Sequence, residues 1–187
     1  RRSAERMIRD GQRASDIIQN TRSLLAHTSG KVETFDLDEF IDETLSLLEH
    51  ELERSGTTVH MEKQATPPIT AVRIELQQVL INLFTNAIQA MDEAGIGNRT
   101  ITVRKEREDS DNIRIAVRDN GPGFPLQMKD KLFSPFFTTK ETGMGMGLSI
   151  CRTTLEARGG RLTGDNHPLG GAVFTISMPI SQEIEHA

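Results

Sequence analysis

Residues 73–91 carry the strongest helical pattern in this chain. Their apolar side chains recur at intervals of three and four, which places them on one face of a helix: Leu76, Val79, Leu80, Leu83, Ala87, Ala90 and Met91. Two stretches that follow, 100–107 and 112–119, are predicted to be strands joined by a charged hairpin.

The other predicted elements complete one fold class. Helices are predicted over 37–54, after Asp36, and over 148–158, with Gly159 and Gly160 ending the second, and a short helical piece ends at Phe133. Further strands are predicted at 57–61, 161–164 and 172–178. Because strict alternation of strand and helix is absent, the order indicates an α/β sandwich with a mixed, mostly antiparallel sheet layered on helices.

Residues 1–26 are predicted to form a separate long helix. Its narrow heptad seam is built largely from small residues, namely Ala4, Met7, Gly11, Ala14, Ile18, Thr21 and Leu25. Such a helix is weak alone and needs partner helices. We therefore divide the chain into a helical segment, 1–30, and a second domain, 34–182.

Charge and composition exclude several kinds of partner. The net charge is -5, whereas nonspecific nucleic-acid binding requires an excess of Lys and Arg. No run of about 18 apolar residues is present, so we expect this chain to make no membrane contact. The single cysteine, Cys151, cannot form an internal disulfide. We expect a cytoplasmic location for this part, whether or not the parent protein is anchored in a membrane.

Two amides lie one turn apart on the helix 73–91. Asn82 and Asn86 are flanked by apolar residues, and an unpaired buried amide costs about 1–3 kcal/mol. One interpretation is a pair of core amides that satisfy each other or another helix. The other is an oxygen site for magnesium, which takes a few protein oxygens together with phosphate and water.

A carboxylate ends the strand 112–119. The period of two places Asp119 on the same inward face as Ile113, Ile115 and Val117, just before Gly121 and Gly123. An inward carboxylate needs a hydrogen-bond donor, and the exocyclic amine of a purine could be one. The alternative is an ordinary turn, since Asp-Asn-Gly favours turns in any context.

A glycine-rich segment precedes the helix 148–158. Gly143, Gly145 and Gly147 alternate with Met and follow Lys140. Glycines allow close backbone approach, and a helix that begins there presents free N–H groups to a phosphate. The alternative is a flexible linker, because the pattern is neither a Walker loop nor a dinucleotide fingerprint.

The order of these elements resembles the four nucleotide-binding motifs of sensor histidine kinases, a branch of the Bergerat-fold ATPases. Asn82-Leu-Phe-Thr-Asn86-Ala resembles the N box and Asp119-Asn-Gly-Pro-Gly123 the first G box. Phe133-Ser-Pro-Phe136-Phe137-Thr-Thr-Lys140 is similar to the F box, and Gly143-Met-Gly-Met-Gly-Leu148 to the second G box. The resemblance covers about residues 36–180, and the residues of the last two motifs are most similar to those of the oxygen-sensing FixL group.

The resemblance implies a role for each motif. In this family the N-box asparagines hold magnesium, which implies Asn86 and Asn82 as metal ligands, and the first G-box Asp binds the adenine amine, which implies Asp119. The second G box is a mobile lid over the phosphates, which Phe133, Phe136 and Phe137 would help to anchor. The other implied nucleotide-binding residues are Gly121, Gly123, Phe133, Phe137, Thr139, Gly143, Gly145, Gly147 and Leu148. ATP or ADP and Mg²⁺ are the implied cofactors, and Asn82 and Lys140 the implied catalytic residues.

The residue at position 82 distinguishes phosphoryl transfer from hydrolysis. Gyrase and heat-shock chaperone relatives carry a Glu four residues before the magnesium Asn, where it activates water. An amide cannot accept a proton at neutral pH, so we expect transfer to a nucleophile rather than efficient hydrolysis.

The nucleophile implied by the resemblance is a histidine in a helical dimerisation hairpin. The histidines of this chain lie outside such a motif: His27, His50, His60, His167 and His186. Residues 1–26 resemble the second helix of that hairpin, so we expect this fragment to bind ATP without phosphorylating itself. The implied partners are a second copy, through the dimerisation helices, and the receiver domain of a response regulator.

Two other functions remain open at this point. One is a degenerate module that senses ATP or ADP without catalysis. The other is a serine kinase of the anti-sigma type, which has the same fold but no dimerisation hairpin.

Ala172 and Val173 also stand where many relatives have a Ser or Thr, which removes one possible contact with the nucleotide.

Overall fold

A computed structural model describes residues 30–62, 64–138 and 145–181 of the chain. In chain order the strands and helices are β1 (Val32–Phe35), α1 (Leu37–Leu47), α2 (Glu49–Ser55), β2 (Thr57–Glu62), β3 (Ile69–Val72), α3 (Arg73–Glu93), β4 (Arg99–Arg107), β5 (Asn112–Asp119), a 3₁₀ helix (Leu126–Lys131), α4 (Gly147–Glu156), β6 (Arg161–Asn166) and β7 (Ala172–Pro179). The predicted helix over residues 1–26 lies outside the described residues.

The main sheet has five strands in the order β2-β4-β5-β7-β6. β2 runs parallel to β4, and every other neighbouring pair is antiparallel. This confirms the predicted mixed, mostly antiparallel sheet. A separate pair, β1 and β3, is also antiparallel, and Thr70 of β3 donates its N–H to the carbonyl of Ile180 at 2.7 Å.

One face of the main sheet forms the core with the helices. Ile113, Ile115, Val117 and Asp119 alternate with half-exposed residues along β5, as predicted. α3 covers this face with its fully buried stripe: Leu76, Val79, Leu80, Leu83, Phe84, Ala87, Ile88 and Met91. Cys151 and Leu155 of α4 join the same core. The result is two layers, helices on one sheet face, with both α3 and β5 placed as their periodicity predicts.

The predicted helix over 37–54 is two helices. Asp36 caps α1, since its Oδ1 accepts from the N–H of Asp38 at 2.7 Å and of Glu39 at 3.2 Å. The chain then turns at Leu48, which stays buried while α2 has no fully buried residue. Neither Gly nor Pro stands at this position, so the apolar spacing continues through the break and conceals it.

The short strands β1 and β3 were not predicted. Each has four residues, too few to establish an alternating pattern. They form because Phe35 and Ile69 become register partners in a two-stranded sheet, with Arg73 stacked over the Phe35 ring at 5.0 Å. This pairing joins residues far apart in the chain, so local sequence could not predict it.

Among the described helices, none is both long and apolar enough to cross a lipid bilayer.

Lys105 is buried in the inward face of β4, with 1% of its surface exposed. Its ammonium donates to the Gln64 carbonyl at 2.6 Å and to Thr66 Oγ1 at 3.1 Å, and it pairs with the Asp38 carboxylate at 2.9 Å. Three partners satisfy its three donors, as a buried ammonium requires. Lys105 thereby ties α1 and the 64–68 loop to the sheet.

Replacing Lys105 with Met retains most of the buried volume and removes all three interactions. We expect Lys105→Met to lower the free energy of unfolding by about 1–3 kcal/mol, because its partners lose their donors. Arg104→Met is the matched control on the opposite face of β4, where a half-exposed ion pair contributes less than about 1 kcal/mol. Urea denaturation measures the free energy of unfolding of both variants. Equal losses would contradict the role of Lys105 in tying α1 and the 64–68 loop to the sheet.

Candidate functional site

The two asparagines of α3 contact each other directly. Asn86 Nδ2 donates to Asn82 Oδ1 at 2.7 Å, and both residues are half-buried. The helical spacing of four brings the amides together without distortion. Their contact agrees with both interpretations of the pair, since mutually satisfied amides can also offer oxygens to a cation.

The first residue of α4 lies against this amide pair. A Cβ added to Gly147 would come within 2.7 Å of both Asn82 Oδ1 and Asn82 Nδ2, so only glycine fits without displacing Asn82. The structure thus brings the end of the glycine-rich segment onto the N-box residue, 65 positions away in sequence. α4 begins at this contact, and no side chain of the described residues caps its first N–H groups.

Asp119 is buried at the end of β5, with 4% of its surface exposed. Its Oδ1 accepts from the N–H of Gly121 at 2.8 Å and from the N–H of Ala172 at 3.1 Å. Burial raises the pKa of Asp119 above its ordinary value of 3.8, although these two N–H groups favour the charged form and lower it. The site therefore holds an inward carboxylate at an energetic cost, which is typical of functional positions.

The loop 120–125 depends on its two glycines. A Cβ on Gly121 would lie 2.9 Å from Asp119 Oδ1 and 3.3 Å from Met91 Cγ on α3. Gly123 has a φ of 70°, in the left-handed region that favours glycine. The loop therefore packs beside the end of α3. Its contact at Met91 lies about 13 Å along the helix axis from Asn82, at 1.5 Å per residue.

Two residues that support this loop were missed in the sequence. Asn166, at the end of β6, accepts from the Phe124 N–H at 2.9 Å and donates to the Phe124 carbonyl at 2.6 Å. Gly171 has a φ of 85°, and a Cβ there would lie 1.8 Å from the Asp119 carbonyl oxygen. The Gly170-Gly171 pair signals a turn, but no local pattern connects that turn with position 119.

The phenylalanine-rich segment contacts the glycine-rich one. A Cβ on Gly145, whose φ is 64°, would lie 2.4 Å from the Phe137 carbonyl oxygen. Phe133 is half-buried and packs edge-on against Phe174, with 6.4 Å between ring centroids. Phe136 instead has a φ of 63° and is 76% exposed, so it is not a core residue in the described structure.

Three of the predicted site residues, Thr139, Lys140 and Gly143, lie outside the described residues. Leu148 is described, and it is half-buried and packs against the core.

The described residues fit a magnesium ion that is held mainly by phosphate oxygens and water. They contain no group of three His, Cys, Asp or Glu side chains that could hold a metal. Two amide oxygens one turn apart, without a carboxylate, suit Mg²⁺ that keeps several waters and shares phosphate oxygens.

A family comparison and curated relatives agree with this geometry. The family described as histidine kinase-, DNA gyrase B-, and HSP90-like ATPase matches residues 71–182. The chain is 35% identical to the sensor histidine kinase TmoS of Ectopseudomonas mendocina, over 94% of this chain and 18% of TmoS. It is 36% identical to the sensor protein FixL of Bradyrhizobium diazoefficiens, over 97% of this chain and 35% of FixL. The chain therefore spans only a minor part of each relative.

Two solved structures of a histidine kinase also match this chain, one of them over nearly its whole length. The catalytic domain of histidine kinase ThkA matches with a TM-score of 0.72 and 35% identity, over 81% of this chain and 97% of that one. Histidine kinase ThkA in complex with the response regulator protein TrrA matches with a TM-score of 0.73 and 30% identity, over 90% of this chain and 48% of that one.

The raised pKa of Asp119 predicts a pH-dependent stability difference. Asp119→Asn keeps an oxygen that can accept both N–H groups but cannot ionise. A raised folded-state pKa gives the wild type stability that is fully present below about 3.8 and is lost as the pH rises through the folded-state value. We therefore expect the variant to gain stability relative to the wild type as the pH rises from about 3.8 toward neutrality.

Urea denaturation of both proteins across this pH range measures the difference. A difference that is independent of pH, or that favours the wild type as the pH rises, would contradict the raised pKa.

Proposed function

This chain belongs to the histidine kinase-, DNA gyrase B-, and HSP90-like ATPase family, as an ATP-binding catalytic domain of the sensor histidine kinase type, and we propose that it transfers the γ-phosphoryl group of magnesium-bound ATP to a histidine. One observation carries the proposal: the beginning of α4 lies on the Asn82 amide. Free helix N–H groups, which favour phosphate, and amide oxygens, which favour magnesium, thereby meet at one place.

In this proposal Asp119 receives the adenine. Both of its hydrogen bonds to the described residues involve Oδ1, and Gly121 keeps the backbone close to it. Because the loop beside Asp119 contacts α3 at Met91, about 13 Å along the helix axis from Asn82, an elongated nucleotide can place its base near Asp119 and its phosphates near Asn82. Gly123 contributes the turn of the loop beneath the base.

Magnesium, when bound, would neutralise charge on the phosphates as the phosphoryl group transfers. Asn86 and Asn82 would hold it through their side-chain oxygens. Lys140, Thr139 and the glycines 143, 145 and 147 would close over the phosphates. The contact of Gly145 with the Phe137 carbonyl supports an anchoring role for the phenylalanine-rich segment.

The acceptor histidine is proposed to lie outside this chain. Of the described histidines, His50 and His60 lie on α2 and β2, and His167 lies in the β6–β7 turn, where its Nδ1 accepts from the Leu169 N–H at 3.1 Å. None of these three histidines is among the residues shown above to contact Asn82. We infer that a dimerisation hairpin, of which 1–30 is the second helix, supplies the acceptor and joins two copies.

The partner that receives the phosphoryl group next is proposed to be a receiver domain. The ThkA structure that resembles this chain is a complex with a response regulator protein, which supports a partner of that class. We infer a cytoplasmic location for this catalytic part, where such a regulator would meet it.

The kinase activity is favoured over a degenerate nucleotide sensor by the relatives, which include sensor histidine kinases. Asp119 would bind adenine in either kind of module, so its burial does not distinguish them. Asn82 stands where a hydrolytic relative would need a base, so transfer to a side chain is favoured over hydrolysis.

Base recognition by Asp119 is tested with two nucleotides and one variant. Inosine diphosphate carries an oxygen in place of the adenine amine. We expect the wild type to bind ADP about 10- to 100-fold more tightly than inosine diphosphate with Mg²⁺ present, because a buried acceptor would lose its donor. Asp119→Asn should abolish this preference. Calorimetric titration gives all four affinities.

The ratio of the two affinities separates recognition from folding. A variant that binds both nucleotides weakly but keeps the wild-type preference would contradict the adenine contact. A folded wild type that binds neither nucleotide would overturn the proposed function.

A substitution at Gly147 tests whether the contact between the beginning of α4 and Asn82 matters for magnesium binding. Gly147→Ala would press a methyl group onto the Asn82 amide, so we expect the gain in ADP affinity that Mg²⁺ provides to fall about tenfold. Gly97→Ala is the matched control, since a Cβ there meets no atom within 4 Å. Titration of ADP with and without Mg²⁺ measures the gain, and equal gains in both variants would contradict the metal assignment.

A further inference from the structure

Asn166 holds the backbone of the loop that follows Asp119. Its Oδ1 accepts from the Phe124 N–H at 2.9 Å and its Nδ2 donates to the Phe124 carbonyl at 2.6 Å. We propose that Asn166 is a positioning residue for nucleotide binding, which fixes the 120–125 loop in the conformation that receives the base. This inference rests on the nucleotide binding proposed above.

The pair of hydrogen bonds requires an amide. Phe124 presents one donor and one acceptor to the same side chain, and the planar amide of Asn matches both at once. The opposite amide orientation would face donor with donor and acceptor with acceptor, so the bonding pattern fixes the orientation. An Asp in this position would retain an acceptor but would lose the donor.

The position of Asn166 in the sheet explains why the loop needs this support. β6 is the edge strand two places from β5, about 10 Å away at the usual strand spacing. The loop leaves β5 at Asp119 and reaches Asn166 by passing the beginning of β7, where the Ala172 N–H binds the Asp119 carboxylate. The β6–β7 hairpin therefore supports both ends of the loop.

Gly123 shows how closely the loop is seated on Asn166. A Cβ on Gly123 would lie 2.5 Å from Asn166 Oδ1, so the backbone there passes directly over the amide. Asn166 acts through this backbone contact, since its bonded partners are main-chain atoms of Phe124. Its effect on a nucleotide would come through the geometry of the loop.

The test uses two single-atom exchanges at adjacent positions. Asn166→Asp places a carboxylate oxygen where the amide donates to the Phe124 carbonyl, so the two oxygens repel. Asp165→Asn makes the reverse exchange one residue earlier and removes only an exposed ion pair with Lys129. We expect Asn166→Asp to weaken ADP–Mg²⁺ binding by the 187-residue chain about tenfold at pH 8, and Asp165→Asn to leave it within about twofold.

A pH series separates positioning from a general loss of structure. Once protonated, the carboxyl group introduced by Asn166→Asp regains a donor for the Phe124 carbonyl, so the affinity ratio between this variant and the wild type should recover toward one as the pH falls from 8 to about 4, the ordinary pKa of an Asp side chain. The other titratable or charged groups in this turn and the elements packed against it occur in both proteins, so the ratio cancels their direct effects: Arg118, Asp119, Lys129, Asp165 and His167.

Amide hydrogen exchange without nucleotide provides the independent measurement. Asn166→Ala, which removes the acceptor as well as the donor, should accelerate exchange of the Phe124 amide at pH 8 by about tenfold or more, while the amides of the β5 core exchange as in the wild type. Unchanged exchange at Phe124 would overturn the inference whether or not nucleotide binds.

The remaining outcomes are distinguishable. If the wild type binds ADP and Asn166→Asp binds it equally well, the inference fails and the proposed function stands. A weakened affinity that does not recover at low pH would also overturn the inference, since lost donation would not be its cause. If the folded wild type does not bind ADP, both the proposed function and the role of Asn166 in it are wrong.

Discussion

Burial of the apolar stripe of α3 against the five-stranded sheet holds the domain together and positions the candidate site. Leu80, Leu83, Phe84 and Met91 are at most 1% exposed, and they face Ile113, Ile115 and Val117 in a continuous core. Removing this apolar surface from water is the main favourable term in such a fold. The same packing fixes the rotation of α3 about its axis, and that rotation decides where the Asn82–Asn86 pair lies. The position of the site is therefore a consequence of the core.

Polar groups are placed at the margin of this core at a cost. Asp119 continues the buried face of β5, where an apolar residue would pack without desolvating a charge, and its pKa is raised for that reason. Backbone N–H groups from Gly121 and Ala172 offset part of the cost. Lys105, on the neighbouring strand, is buried equally deeply but has three partners from the 64–68 loop and α1. The first arrangement suits ligand binding and the second suits support of the fold.

Support for the candidate site comes from elements that are distant in sequence. The beginning of α4 is seated on Asn82, and the β6–β7 hairpin holds the 120–125 loop through Asn166, Gly171 and Ala172. Glycine is required at Gly147 and Gly171 because neighbouring groups leave no room for a Cβ, which is a packing requirement separate from flexibility. These contacts join segments that are distant in the sequence into one candidate site.

Residue patterns were enough to predict the helix α3, the strands β4 and β5, the sheet type and the family, because periodicity is a local property and the order of motifs is read directly along the chain. They also predicted that Asp119 points inward, since the period of two in β5 reaches its last residue. Four features became visible only in the folded chain: the break at Leu48, the pairing of β1 with β3, the exposure of Phe136 and the contacts of Asn166 and Gly171. The strand pairing and the contacts of Asn166 and Gly171 depend on partners many residues away, and a residue pattern within one segment carries no information about which distant segment will pack against it.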